Sequence, residues 1–557
     1  MSSSDDGSGE DTAIFRKHDR NTITGRENIP KNEGSSLGGI AGGVAVLTVS
    51  NLLVKAAGLL FKIPMNHIIG DSGMGYYGSA YSVYTFFYML ATSGLPIAVS
   101  VMVAERRAGG RIVSAKLVYR LALAIFVLIG SATSAFMLFG ADTLAGAVGS
   151  EKSAMCIMTA APTMLFVCAA GALRGYFQGC GNMVPTAVSQ LIEAVGKLGI
   201  GITAALYAIS RGYAIHIVAA YAVSGLTVGS LLGAVYLLAV RIIRGDRDLV
   251  TDSSIDYRSE RIRDILRHFC RISLPVTISA SVMSLTNMLD TAMIQRILTD
   301  SMTAEEAAAV YGNYTSLAVP MFNLPPVFVY PIAYALVPKV AAAVSEERSR
   351  QVENALRYAV AVALPCTLGL TVLADPILCL LYSDASAHTA SPLLVCLAPS
   401  SFFVCMLAVT NSVLQACGQE RKPVVSMICG GAVKCVAGVI LLREYGIAGA
   451  PVSTFLCYLT ATVLNFAFTA KSCRIKLNFP RVFLRPLAAG VSCALTALLC
   501  EPVVGCIPAI IAAAAVYGAV LLITGAVTGN EIRAVLDGKF NKDVNKNYER
   551  KNQRIKE

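Results

Sequence analysis

Tryptophan is absent from the 557 residues, histidine occurs five times, and only 15% of the residues are charged. Each shortage excludes something. A soluble domain averages about a quarter charged residues, so this chain lacks the polar surface that a water-facing globule needs. The five histidines, His18, His67, His216, His268 and His388, are scattered and form no HExxH. No CxxC pair or Cys/His cluster appears at ligand spacing, so no metal site is expected. A Walker A motif and a G-x-S-x-G elbow are missing too, which removes an ATP-driven pump and a serine hydrolase. No catalytic residue stands out, and the chain is not expected to be an enzyme. Residues 1–37 are polar and mixed in charge. They lack the apolar core of a signal peptide and are expected to be a disordered cytoplasmic tail. Without tryptophan, interfacial anchoring falls to tyrosines such as Tyr76, Tyr77, Tyr81, Tyr84 and Tyr88. Several of these share one helix face, where they either pack or line a cavity.

What the chain has in abundance is apolar length. Its hydrophobic fraction is 55% and its mean hydropathy +0.62. Apolar runs of about 20 residues or more recur, enough to cross a ~30 Å hydrocarbon core as helices. Where no water can satisfy the backbone, they cannot be isolated strands. The expected fold is an all-α polytopic membrane protein with about fourteen spans. Span 1 is placed at 38–62, span 2 at 76–104, span 5 at 184–208, span 7 at 271–295 and span 11 at 423–442. The sixteen cysteines lie mostly inside these runs and are expected to be small packing residues.

The chain also repeats itself. Residues 166–181, FVCAAGALRGYFQGCG, return at 403–418 as FVCMLAVTNSVLQACG, with Phe, Val, Cys, Gln, Cys and Gly each 237 positions on. Lys197 returns as Lys434 at that offset, and Tyr76 and Pro96-Ile97-Ala98 return as Tyr311 and Pro331-Ile332-Ala333 at 235. A duplicated unit of six spans predicts two parallel lobes. The N-lobe occupies 38–240, a basic connector 241–270 and the C-lobe 271–469. Two extra spans, 483–500 and 503–528, and a basic tail, 529–557, complete the chain.

Orientation follows from the 46 Lys and Arg. With both termini cytoplasmic, only Lys152, Arg211, Arg296 and Arg443 fall outside, and Lys55, Lys62, Lys197 and Lys434 lie within spans. All the rest are cytoplasmic, as the positive-inside rule requires. The net charge of +11 is therefore a topology signal and an attraction to anionic lipid. It is not a nucleic-acid footprint, and the protein is expected to be a monomer in the membrane.

Ionisable groups at membrane depth cost ~2.5–3.5 kcal/mol or more each, so they mark function. The candidates for binding an anionic substrate are Lys55, Lys62, Lys197 and Lys434, with Lys55 first. The candidates for coupling to H⁺ or Na⁺ are Glu193 and Asp290. Lys62 is expected to snorkel to the outer surface. Glu193 and Lys197 stand i, i+4 on one helix. Arg174 reads as an ordinary interface arginine. If spans 1 and 5 pack together, and their duplicates 7 and 11 likewise, Lys55 should approach Glu193 and Asp290 should approach Lys434.

The stretch 51–110, from NLLVKAAGLLFKIPMNHIIGDSGMGYYGSAYSVY to SGLPIAVSVMVAERRAGG, resembles the opening of the polysaccharide-flippase group that includes the stage V sporulation protein B proteins. RGYFQGCGNMVPTAVSQLIE, residues 174–193, is similar to that group's segment between spans 4 and 5. The resemblance covers residues 38–528 and implies a transporter of the multidrug/oligosaccharidyl-lipid/polysaccharide superfamily. Such a transporter has two lobes facing a central cavity that opens alternately to each side. It also implies a bacterial cell-membrane location and a lipid-linked saccharide cargo such as lipid II. The lipid II flippases line their cavity with arginines, where this chain offers lysines. The two extra spans fall where such flippases have a groove for the lipid tail. A drug/cation antiporter of the same fold and a non-transporting scaffold for wall assembly or sporulation are the rival readings.

Overall fold

The structure is a computed structural model that describes residues 33–245, 261–343, 345–473 and 480–525. The remainder of the N-terminal tail, the middle of the 241–270 connector and the 529–557 tail lie outside the described residues. Among the described residues every regular element is helical, and the protein is a multi-pass membrane protein. Phe139, Leu499, Val503 and Ile523 are large apolar side chains left exposed; a lipid solvent accounts for them, since aqueous surfaces rarely carry extended apolar patches.

The segment expected to form the N-lobe, 38–240, is covered by α1 (Glu33–Thr92), α2 (Leu95–Ala108), α3 (Ile112–Phe139), α4 (Ala141–Ala147), α5 (Ala154–Ala160), α6 (Thr163–Gly179), α7 (Val184–Ser210) and α8 (Ile215–Arg244). α1 already begins inside the segment expected to be disordered. It also joins the first two expected spans. Gly70 breaks it with φ 66 and ψ −175, a conformation that only glycine adopts cheaply. α7 and α8 lie backbone to backbone: a Cβ on Gly229 would stand 2.6 Å from the Glu193 carbonyl oxygen. Small residues four apart (Gly225, Gly229, Gly233) permit such an approach.

The segment expected to form the C-lobe, 271–469, starts within α9 (Ile262–Thr299), so both flanks of the expected connector are helical. Then come α10 (Ala304–Gly312), a π-helical turn at Asn313–Ala318, α11 (Val319–Phe322) and α12 (Leu324–Ala342). They are followed by α13 (Ser345–Val372), α14 (Ala374–Leu381), α15 (Asp384–Ala416), α16 (Arg421–Tyr445) and α17 (Gly449–Cys473). A Thr303–Glu306 capping box starts α10. The two extra helices, α18 (Arg485–Val504) and α19 (Cys506–Ile523), pack on each other and on α13, where Cys493, Ala497 and Ala513 cluster with Val372 and the following Leu373.

Eleven stretches among the described residues are long and apolar enough to cross a membrane, so length and composition do not return the expected fourteen. Two of the eleven, of 60 and 51 residues, contain the breaks at Gly70 and Gly446, and α9 is not among them. The cysteines at repeat-equivalent positions 168 and 405 are both buried.

The lobes meet tightly near Gly70. A Cβ on Gly75 would stand 1.8 Å from the Ala308 carbonyl oxygen, and one on Gly312 would stand 2.1 Å from that of Asp71. The substitution Gly75→Leu is therefore expected to hold this seam apart. An Asp71→Cys/Ser386→Cys pair should cross-link under mild oxidation in the otherwise native chain and fail to do so once Gly75→Leu is added. Equal cross-linking in both would show that the seam closes without Gly75.

Candidate functional site

Two of the sequence-derived lysines, Lys55 and Lys62, face the junction of the lobes. Lys55 and Lys62 are seven residues apart on α1, about 10 Å at 1.5 Å per residue, and hence on one face. The Lys55 Nζ lies 4.9 Å from the centre of the Tyr330 ring, on α12 of the opposite lobe. The Lys62 Nζ donates to the Thr315 carbonyl oxygen at 2.8 Å, again across the lobes. It does not snorkel to the surface as expected, because the π-helical turn presents an acceptor within reach.

Lys197, on α7, points its ammonium at three rings. Its Nζ is 5.1 Å from the centre of Phe61, 5.8 Å from Tyr77 and 4.9 Å from Tyr81. Ring faces carry negative charge, so each attracts the cation. Tyr77, Tyr81, Tyr84 and Tyr88 follow one another down a single face of α1, with successive centroids 5.9, 5.7 and 5.7 Å apart. Tyr76, Tyr77 and Tyr84 are buried. These three pack, Tyr77 also facing Lys197, while Tyr81 is exposed.

Glu193, one turn from Lys197, has a different partner from the two considered in the sequence. Its Oε2 accepts from Arg174 Nη2 at 2.8 Å, and Arg174 Nε also donates to Ser189 Oγ at 3.0 Å. Arg174 is thus a buried ion-pair partner carried on α6, not an ordinary interface arginine. The approach of Lys55 to Glu193 does not occur. Lys55, Lys62 and Lys197 have no carboxylate oxygen within 4.0 Å among the described residues.

In the C-lobe, α9 packs on α16 as α1 packs on α7. Here the charges do meet. Lys434 Nζ donates to Asp290 Oδ2 at 2.9 Å, with the side chains 10% and 12% exposed. The pair lines a cavity of about 310 Å³ with Thr286, Leu289, Met293, Cys435 and Val439. Asp290 Oδ1 is buried there and receives no hydrogen bond. The repeat explains the difference between the lobes. The position equivalent to Asp290 is Lys55, so α1 offers Lys197 no acid at that place, and the ammonium rests against aromatic rings instead.

The seam near Gly70 is polar at its centre. Asp71 Oδ1 accepts from Asn66 Nδ2 at 3.0 Å and from Ser386 Oγ at 2.7 Å, while Oδ2 accepts from Asn313 Nδ2 at 3.1 Å. Gln295 Nε2 donates to Ser79 Oγ at 3.1 Å, and Lys152 pairs with Glu305 at 3.5 Å. None of these residues was singled out in the sequence as part of a site. Asp71 had one available signal, an acid placed next to the glycine that ends a span. Arg357, fully buried on α13, was also missed. So was a meeting of Asp375, Cys379 and His388, whose donor atoms lie within 4.8 Å of one another. The statement that no Cys/His cluster exists holds for linear spacing and fails in space.

A family model described as polysaccharide biosynthesis protein matches residues 40–344, more than half of the chain. The chain belongs to that family. Stage V sporulation protein B of Bacillus subtilis (strain 168) is 24% identical over 444 residues, spanning 78% of this chain and 84% of its own. The lipid II flippase MurJ of the same organism is 21% identical over 444 residues, 76% and 81% of the two chains. A solved structure of lipid II flippase MurJ in an inward closed conformation superposes with a TM-score of 0.69 at 12% identity, covering 86% of this chain and 98% of that one. At such identity it shows a shared fold. A second model, MatE, matches residues 275–440, consistent with the wider superfamily of flippases and drug exporters.

Proposed function

We propose that this family member flips an anionic lipid-linked glycan precursor across the bacterial cell membrane. The cargo is an undecaprenyl-pyrophosphate-linked saccharide such as lipid II, moved from the inner to the outer leaflet. What carries the reading is the set Lys55, Lys62 and Lys197, three ammonium groups, the first two at the lobe junction, with no carboxylate within 4.0 Å among the described residues. An unneutralised cation is costly at this depth, and a pyrophosphate supplies the missing charge. Relatives that bear flippase and sporulation names support the same cargo class.

The Lys62 contact suggests how loading is linked to movement. Its bond to the Thr315 carbonyl ties the lobes together, and a phosphate oxygen competes for the same ammonium. Charge-assisted contacts are about twice as strong as neutral ones, so cargo weakens the tie and favours separation of the lobes. With the termini cytoplasmic, the Asp71 seam faces outward and its parting releases cargo there. An inside-negative potential assists, at ~2.3 kcal/mol per charge per 100 mV. Asp290 is the coupling group in this reading, because its Oδ1 receives no hydrogen bond and its side chain lines the cavity.

The MatE match on the C-lobe favours one rival, a cation-coupled drug antiporter. Such a protein needs free acids for a cationic drug, whereas Glu193 and Asp290 are each held by a protein base. The test compares two labelled lipids bearing the same saccharide in proteoliposomes, one linked through pyrophosphate and one neutral, with ethidium efflux alongside. Transport restricted to the pyrophosphate lipid is expected. Ethidium efflux without lipid transport would move the protein to the antiporter class.

A further inference from the structure

We propose that Asp375, Cys379 and His388 form a binding site for a zinc-class divalent cation at the α14–α15 corner. Asp375 and Cys379 stand i, i+4 on α14, on one helix face. His388 comes from the first turns of α15, after a turn through Tyr382 and Ser383. Asp375 sits between the other two donors. Its Oδ1 is 2.9 Å from His388 Nδ1 and its Oδ2 is 3.9 Å from Cys379 Sγ. All three donor atoms lie within 4.8 Å of one another.

Zinc bonds of ~2.0–2.3 Å in tetrahedral geometry place donors about 3.3–3.8 Å apart, so rotation of side chains that are partly or wholly exposed brings the set to a metal. Imidazole nitrogen, thiolate sulfur and carboxylate oxygen together select zinc or cobalt over magnesium or calcium, which take oxygen ligands. On binding, the Cys379 thiol proton leaves to solvent and the sulfur takes the metal. Three protein ligands leave the fourth position to water, or to Asp384, whose carboxylate lies within electrostatic range of the same sulfur. The site is outside the lysine row and uses none of its residues. The corner it braces carries Ser386, which donates to Asp71 at the seam between the lobes.

Cobalt(II) is the probe, titrated into the detergent-purified full chain. A one-to-one complex with a thiolate-to-cobalt absorption band, displaced by zinc, is expected. Cys379→Ser should abolish the band, and His388→Ala should weaken binding at least tenfold. Cys429→Ser, which removes an exposed thiol elsewhere, should leave it intact. Asp375 and His388 are exposed enough that metal-free Tm should hold in the variants. Absence of a band in the wild type, a band surviving in Cys379→Ser, or unchanged affinity in His388→Ala would each overturn the site.

Discussion

Replacing Lys434 with methionine is expected to destabilise the protein by ~3–5 kcal/mol, the usual cost of stranding one member of a buried ion pair. The abandoned partner is Asp290. Its Oδ2 loses its 2.9 Å donor, and its Oδ1 already receives none. Adding Asp290→Asn removes the stranded charge, so the double variant should recover much of the loss. Residues in contact show coupling, whereas independent sites add. Thermal unfolding of the four proteins in detergent measures the cycle. Fully additive defects would mean that the two side chains do not sense each other, against the geometry of α9 and α16.

Lys55→Met is expected to behave in the opposite way, losing transport and keeping stability. Lys55 is exposed on α1, and its ammonium rests against the Tyr330 ring, so its removal strands no charge. A charge-assisted contact with a phosphate is worth ~1.5–3 kcal/mol, which converts to roughly tenfold to a hundredfold in transport. Lys55→Arg should retain much of the rate, since a point charge suffices where no bidentate geometry is required. A Lys55→Met protein that flips the pyrophosphate lipid at the wild-type rate would remove Lys55 from the substrate path. Loss of transport together with a large fall in Tm would make it structural.

The duplication was the most informative feature of the sequence. It identified α9 and α16 as partners equivalent to α1 and α7, and from that the meeting of Asp290 with Lys434 could be read in advance. The same logic misled in the N-lobe, because repeats preserve helix positions and not charges. Lys55 stands where Asp290 stands in the other half, so α1 offers no acid to Lys197 at that position. Glu193 was then taken by Arg174, which lies 19 residues away and reaches it through the turn at Gly181. Apolar runs showed the helices but not their ends: the first break, at Gly70, falls inside the expected loop between spans 1 and 2, but helix flanks it on both sides. Networks assembled from distant segments left no linear trace. Asp71 draws its donors from three segments, and the Asp375–Cys379–His388 group closes across a turn.

The central claim is that an anionic lipid-linked saccharide crosses the membrane through this protein along the lysine row. Its most direct test is transbilayer movement of fluorescent lipid II in proteoliposomes, read by quenching of the outer leaflet, for the wild type and for Lys62→Met. The account predicts movement above that of protein-free vesicles in the wild type. It predicts a loss of about tenfold or more in Lys62→Met, whose ammonium donates to Thr315 and, in the proposed cycle, to the phosphate. Movement no faster than in empty vesicles, from protein that is folded and inserted, would contradict the account for this cargo, and equal rates in the two proteins would contradict the role of the row.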